Sequence, residues 1–280
     1  MIDFLTFLLD VSVLVFAVAS MIAVGFSYTV QEILEPLRNV SAVARTLIAN
    51  FVLVPLLAYL ILQVLPLRQS LAIGLFLIAS AAGAPFLIKL TVVAGQNVAI
   101  SATLLVLLIP ATIIYMPIVV PLALPNAAIS ALAIALPLVL TMLLPLAIGL
   151  LIRARLQGWA IQMQPFMSKV STIALIVLIV TTFAVNFQGI MNIFGEGAIL
   201  AALLLIGGAF VVGYLMGSYD PESREELALA TAQRNIAAAT VVATQTIELP
   251  GTLNMIVVSS LIGLAILFPI AFSMPRRQAK

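Results

Sequence analysis

A chain of 280 residues with 64% hydrophobic and 8% charged side chains, and a mean hydropathy of +1.29, has too few charges to cover a soluble domain. Its twelve basic and ten acidic residues leave a formal charge of +2. The absence of cysteine and histidine excludes disulfides and thiol chemistry, and removes the commonest metal ligand and general base. The composition predicts an all-α polytopic membrane protein whose first partner is the lipid bilayer, with no cofactor, no metal and no nucleic-acid partner.

Apolar runs of about 20 residues, the length that crosses a hydrocarbon core, fall at nine places. They lie at roughly 4–26, 42–64, 71–95, 98–122, 128–152, 166–187, 197–217, 225–246 and 252–273. The N-terminal MIDFLTFLLDVSV lacks a basic n-region and runs straight into the first span, so no cleaved signal peptide is expected. The segments LPLRQS, LPNAA, RARLQGWAIQMQP, QGIMNIFGEG, SYDPESREE and ELPG read as connections. Run lengths favour helices over barrel strands, which alternate over about ten residues. A ten-span plan with one split segment is the alternative.

With nine spans and the N-terminus outside, one side of the membrane holds Arg38, Arg45, Arg153, Arg155, Lys169, Arg224, Arg276, Arg277 and Lys280. The other holds Arg68 alone. This bias assigns the first side to the cytoplasm, with the C-terminus inside and Asp3 and Asp10 outside, in a plasma (inner) membrane. Trp159, in the cytoplasmic connection, reads as an interfacial anchor.

Lys89 and Arg234 remain, within spans three and eight. If the chain is an inverted repeat offset by five spans, these two spans are mates, as in transporters with broken helices at the midplane. Span three carries a break signal in SAAGAPFLIKL, where Gly83 loosens the backbone and Pro85 removes a helical hydrogen bond. Span eight has no glycine or proline, and only Gln233 and Asn235 are there to satisfy freed backbone groups. Arg234 lies about ten residues into its span, too deep to snorkel, and intramembrane charges of this kind mark substrate or ion pathways. A structural role, tying helices together through backbone carbonyls, is the alternative. Lys89 either snorkels to the cytoplasm or pairs with Glu226, or else, desolvated, exchanges a proton.

GAPFLIKLTVVAGQNVAIS and EELALATAQRNIAAATVVA resemble the two signature segments of the bile acid:sodium symporter family, and SMIAVGFSYTVQEILEPLRNVSAVARTLIANFVLVPLLA resembles its early helices. The resemblance implies nine transmembrane helices in an inverted repeat with two discontinuous crossing helices. It implies a panel domain (about 4–26 and 128–187) against which a core domain (about 42–122 and 197–273) moves. Sodium-using members have a Ser-Asn pair where this chain has Leu87 and Ile88, and a Glu and Gln where it has Ala230 and Arg234, while Asn235 is kept. A hard cation needs a cage of oxygens, so the resemblance implies a relative in which Arg234 and Lys89 stand in for sodium. Asn235 is the first expected substrate contact, with Gln233, Pro85 and Thr91 at the crossing. Ser259 and Ser260 fall where the family places polar lining residues, although serine in a membrane helix is often a packing residue. Gln96 and Asn97 line the cytoplasmic half or form a turn.

The expected function is alternating-access secondary transport of an organic anion, a bile-acid-like amphiphile or small carboxylate, independent of sodium. A sodium- or proton-coupled cation/proton antiporter and a non-transport membrane sensor are the rival readings. ATP-driven transport by this polypeptide alone is excluded by the absence of a phosphate loop, and an enzyme is disfavoured without His, Cys or a buried Asp pair. The topology is testable in intact cells. Cysteines replacing Arg155 and Arg277 are expected to be shielded from impermeant thiol reagents, and one replacing Asp3 to react; external labelling of Arg277→Cys shifts the count by one span.

Overall fold

The computed structural model describes residues 2–29, 31–32, 39–96, 98–123, 130–193, 195–218, 220–246 and 249–275, and no strand occurs among them. Asn97, Arg38, Arg276, Arg277 and Lys280 lie outside the described residues. In chain order the helices are α1 (Ile2–Ser27), α2 (Val40–Val64), α3 (Gln69–Ser80), α4 (Leu87–Ala94), α5 (Val98–Ala123) and α6 (Ala131–Arg155). Then follow α7 (Gln157–Ile193), α8 (Ala198–Met216), α9 (Pro221–Ala232), α10 (Ile236–Thr246) and α11 (Pro250–Ser273).

Seven of these, α1, α2, α5, α6, α7, α8 and α11, are long and apolar enough to cross a membrane. The chain is therefore an all-helical, multi-pass membrane protein. The other two runs expected as spans, 71–95 and 225–246, are each divided into two shorter helices, α3 with α4 and α9 with α10. Two boundaries differ from the sequence expectation. The stretch RARLQGWAIQMQP is no long loop, because helix α6 runs through Arg155 and α7 begins at Gln157. Trp159 is thus helical, and its ring meets Phe26 of α1 edge-on at 5.7 Å. Likewise α7 continues to Ile193, through most of QGIMNIFGEG. Neither these polar residues nor Pro165, which α7 takes up about two turns from its start, ends the helix.

Proline shapes two helices from inside. Residues Ala49–Leu53 of α2 and Val139–Leu143 of α6 are π-helical, and Pro55 and Pro145 follow them. A proline ring clashes with the carbonyl four residues back, here that of Phe51 or Thr141, and a widened turn relieves the clash. The first of these turns carries the buried Asn50.

Helix α1 packs mainly on α7 and α6, while α8 packs on α9, and α11 on α3 and α8. Where α1 meets α6, Gly25 and Gly149 let the backbones touch: a Cβ on Gly25 would sit 2.7 Å from the Leu146 carbonyl oxygen. Small residues are the usual means of close approach between apolar helices. Two contacts fix opposite ends of the bundle. Arg68 pairs with Glu196 between the connections preceding α3 and α8. Arg45 donates to the Gly217 carbonyl (3.4 Å) where α2 starts and α8 finishes. Asp220 caps α9 by accepting from the Ser223 amide at 2.8 Å, and hydrogen bonds from Ser223 hold its carboxyl below the usual range.

Between α3 and α4, Gly83 takes a φ of 74°, and an added Cβ would stand 2.8 Å from the Ile109 amide nitrogen of α5. Gly83→Ala is expected to cost about 1–3 kcal/mol from the left-handed backbone alone, with the backbone clash in addition. A clear drop in melting temperature of the detergent-solubilised variant checks this; an unchanged melt contradicts the tight packing of the break on α5.

Candidate functional site

A helix interrupted inside an apolar bundle exposes carbonyl and amide groups with no water to take them. Both interruptions occur here, and each supplies what the other lacks. Residue 81 ends α3 in an extended conformation, and the Ala81 carbonyl accepts from the Asn235 amide at 2.8 Å. The Asn235 side chain donates to the Gly83 carbonyl (2.9 Å) and accepts from the Ala238 amide (3.1 Å), so it also caps α10. Thr112 of α5 serves both backbone groups of Ala82, each at 3.0 Å. The second break needs neither glycine nor proline. Gln233 is extended, with φ −77° and ψ 98°, and residues 233–235 carry the chain from α9 to α10.

Arg234 is at the centre and only 2% exposed. Its Nε donates to the Ile78 carbonyl (3.1 Å), and its two terminal nitrogens to the Ala79 carbonyl (2.6 Å), the Thr231 carbonyl (3.0 Å) and Asn50 Oδ1 (2.8 Å). Ile78 and Ala79 lie in the last turn of α3 and Thr231 in the last turn of α9. These are the negative ends of two helix dipoles, and the guanidinium links them. Asn50 is itself held by donating to the Thr46 carbonyl (3.1 Å) and to Thr231 Oγ1 (3.2 Å). It is fully buried in the π-helical turn of α2. Sequence reasoning passed over Asn50; the available signal was an amide in the middle of an apolar run, shortly before Pro55.

Lys89 is placed elsewhere. It is half-buried in the first turn of α4, donates to Thr172 Oγ1 of α7 and lies 5.6 Å from the centre of the Phe86 ring. It lines a cleft of about 590 Å³, open mouth included, between α1, α7 and the start of α4. Pro85, Phe86 and Phe16 supply apolar wall, and Ser20, Gln164, Ser168, Ser171 and Thr172 supply polar atoms. The hydroxyls of Ser20 and Ser171 are hydrogen-bonded at 2.6 Å across the α1–α7 seam. A half-open cavity with apolar walls, one cation and neutral donors suits an organic anion.

The remaining expected site residues divide. Asn235 and the buried Gln233 are at the crossing with Arg234, and Pro85 is in the Lys89 cleft. Thr91 lines neither; it bonds to the Leu87 carbonyl (3.0 Å) and to Ser101 Oγ (2.6 Å). Ser260 bonds back to the Ile256 carbonyl in its own helix at 2.7 Å. The Ser259 hydroxyl is buried without a hydrogen-bond partner among the described residues, and it does not line the Lys89 cleft. Leu87 and Ala230 are buried and offer no side-chain oxygen. Among the described residues no cluster of three or more acidic or other metal-ligating side chains occurs.

A model of the Sodium Bile acid symporter family matches residues 13–194, well over half the chain, and the chain belongs to that family of membrane transporters. No curated protein sequence matches it. The matched stretch contains the first break and Lys89, while Arg234 and Asn235 lie beyond it.

Asn50→Leu removes the side-chain acceptor of Arg234 and leaves a buried guanidinium donor without it. Hydrogen bonds to charged groups contribute about 1.5–3 kcal/mol, and a loss on that scale is expected in detergent melts of the variant. A variant as stable as the parent shows that Asn50 is dispensable to the crossing.

Proposed function

We propose that this chain is a secondary transporter of organic anions, bile-acid-like amphiphiles or small carboxylates, working by alternating access without sodium. The observation that carries this reading is the guanidinium of Arg234, spread over three carbonyl oxygens and one amide oxygen where two half-helices meet. A bound metal cation would be held by just such oxygens, so the arginine supplies the charge in tethered form. Each broken pair, α3–α4 and α9–α10, then completes one span, giving nine, with the N-terminus outside and the C-terminus in the cytoplasm of a plasma membrane. Helices α1, α6 and α7 serve as the panel, and the remainder as the core that moves against it.

The cleft beside Lys89 is the proposed anion site, because it lies on the seam between these two bodies. The first turn of α4 directs its positive dipole end there. Lys89, read from sequence as a second stand-in for sodium, takes on this reading the anion itself. Its present acceptor, a threonine hydroxyl, is neutral and easily displaced by a carboxylate or sulfonate.

Proteoliposome uptake tests the proposal. Labelled taurocholate and a set of small carboxylates, including keto acids and pantothenate precursors, are offered in sodium or choline buffer of equal ionic strength. Uptake of at least one probe at equal rates in both buffers is expected. A tenfold tighter binding in sodium, about 1.4 kcal/mol, contradicts the tethered-cation reading. Lys89→Gln is expected to weaken binding of the transported probe at least tenfold, and unaltered affinity moves the anion site elsewhere.

A further inference from the structure

Glu226 is a fully buried carboxyl in α9, about two turns before the break. It touches the Ser101 hydroxyl of α5, which touches the Thr91 hydroxyl of α4, which in turn bonds to the Leu87 carbonyl. Thr91 and Ser101 are also fully buried. Three contacts in a row need three protons, and the two hydroxyls provide two. Thr91 must donate to Leu87, since a carbonyl only accepts. Ser101 then has one proton for two neighbours. If Glu226 is ionised, Ser101 donates to it and the contact between Thr91 and Ser101 loses its hydrogen. If Glu226 is protonated, every contact is filled: the carboxyl donates to Ser101, Ser101 to Thr91, and Thr91 to Leu87.

We propose that Glu226, Ser101 and Thr91 form a proton-binding site in which the Glu226 carboxyl holds a proton and donates it along the hydroxyl relay. The proton thereby ties α9, half of one broken helix, to α4, half of the other, through α5. When the proton leaves to water, Ser101 turns to donate to the new carboxylate. Thr91 must then give up either Ser101 or Leu87, and the link between the two broken helices weakens. The exit lies at the end of the bundle where Gln96 donates to Glu225 (3.0 Å) and to the Pro275 carbonyl (3.1 Å). Intramembrane carboxyls are the usual proton carriers of transporters.

The other ionisable groups on the elements packed against α9 are few. Helix α4 brings Lys89, which bonds to Thr172, and α5 brings Tyr115, whose ring lies 4.8 Å from that of Phe51 at a tilt of 50°. From α8 comes Tyr214, whose ring lies 5.8 Å from the Arg224 guanidinium carbon, and Arg224 Nε donates to the Ser218 carbonyl at 2.9 Å. Helix α11 brings none; α2, bonded to α9 through Asn50 and Thr231, brings Tyr59 and Arg45, the latter donating to the Gly217 carbonyl; and α9 itself has Glu222, Arg224 and Glu225, with Asp220 at its cap.

Protonation of Glu226 is a claim about the protein alone; its use in coupling rests on the transport reading above. Infrared spectra of the purified protein separate the two. A neutral carboxyl band, shifted down in heavy water, is expected at neutral pH in the parent and in Glu225→Gln, and absent from Glu226→Gln. Ser101→Ala, which removes the hydrogen-bond acceptor, is expected to move that band to higher frequency. Absence of any band lost with Glu226, or a Glu226 carboxylate signal altered by sodium and not by choline, overturns the proposal. Should the band be present while no probe crosses the liposome membrane, the proton site stands and the transport reading falls. Should probes cross while the band is absent, the reverse holds.

Discussion

One cation holds together two helix ends that would otherwise repel. The carboxyl-terminal turns of α3 and α9 point carbonyls at the same small volume, where Arg234 is only 2% exposed. Arg234 converts that conflict into a link, with hydrogen bonds to both ends and to Asn50 of a third helix. Much of the surrounding architecture serves this arrangement. Pro55 widens the turn of α2 that presents Asn50, Gly83 lets α3 stop against α5, and Asn235 closes the second break by capping α10 and bonding the first. Desolvating a guanidinium is costly, and it is tolerated here because several oxygens converge on it.

A tethered cation has a consequence for energetics. An ion that binds and leaves can exchange work between its gradient and the solute, whereas a side chain of fixed charge cannot. On the proposed reading the crossing is permanently in the state that sodium would create in a relative, and its charge stays constant through the cycle. Coupling to any gradient must then come from another group that changes charge. That group should lie between the two broken helices rather than on either alone, and the relay from Glu226 through Ser101 to Thr91 has that placement.

The fold was legible where apolar run length decided it, because seven of the expected spans are continuous helices. The break in α3–α4 was legible from Gly83 and Pro85. The break in α9–α10 was not, since its residues are alanine-rich and helix-forming; the chain is extended at Gln233 because tertiary bonds to Ile78, Ala79 and Ala81 outweigh local propensity. Arg234 and Asn235 were conspicuous as polar residues in a greasy run. Asn50 and Ser101 were not, and Glu226 entered only as a partner for Lys89, because their meaning lies in partners more than a hundred residues away. Glu226 in particular reads as a span end in the sequence, and only the packing of α5 and α4 over it makes it buried.

The two intramembrane cations differ in what they leave over. Arg234 is surrounded, with Nε and both terminal nitrogens each given to an acceptor, and its 2% exposure leaves no face for a solute. Among the described residues Lys89 has one neutral hydroxyl acceptor and an aromatic ring, at the wall of a cleft that is open. An ammonium has three donors, so at least part of its capacity is directed to whatever enters. Charge at the crossing is therefore structural in its bonding, and charge at the seam is available for recognition. A solute carboxylate seated at Lys89 would touch α4 from the side of α1 and α7, so its binding acts directly on the contact between the bodies proposed to move.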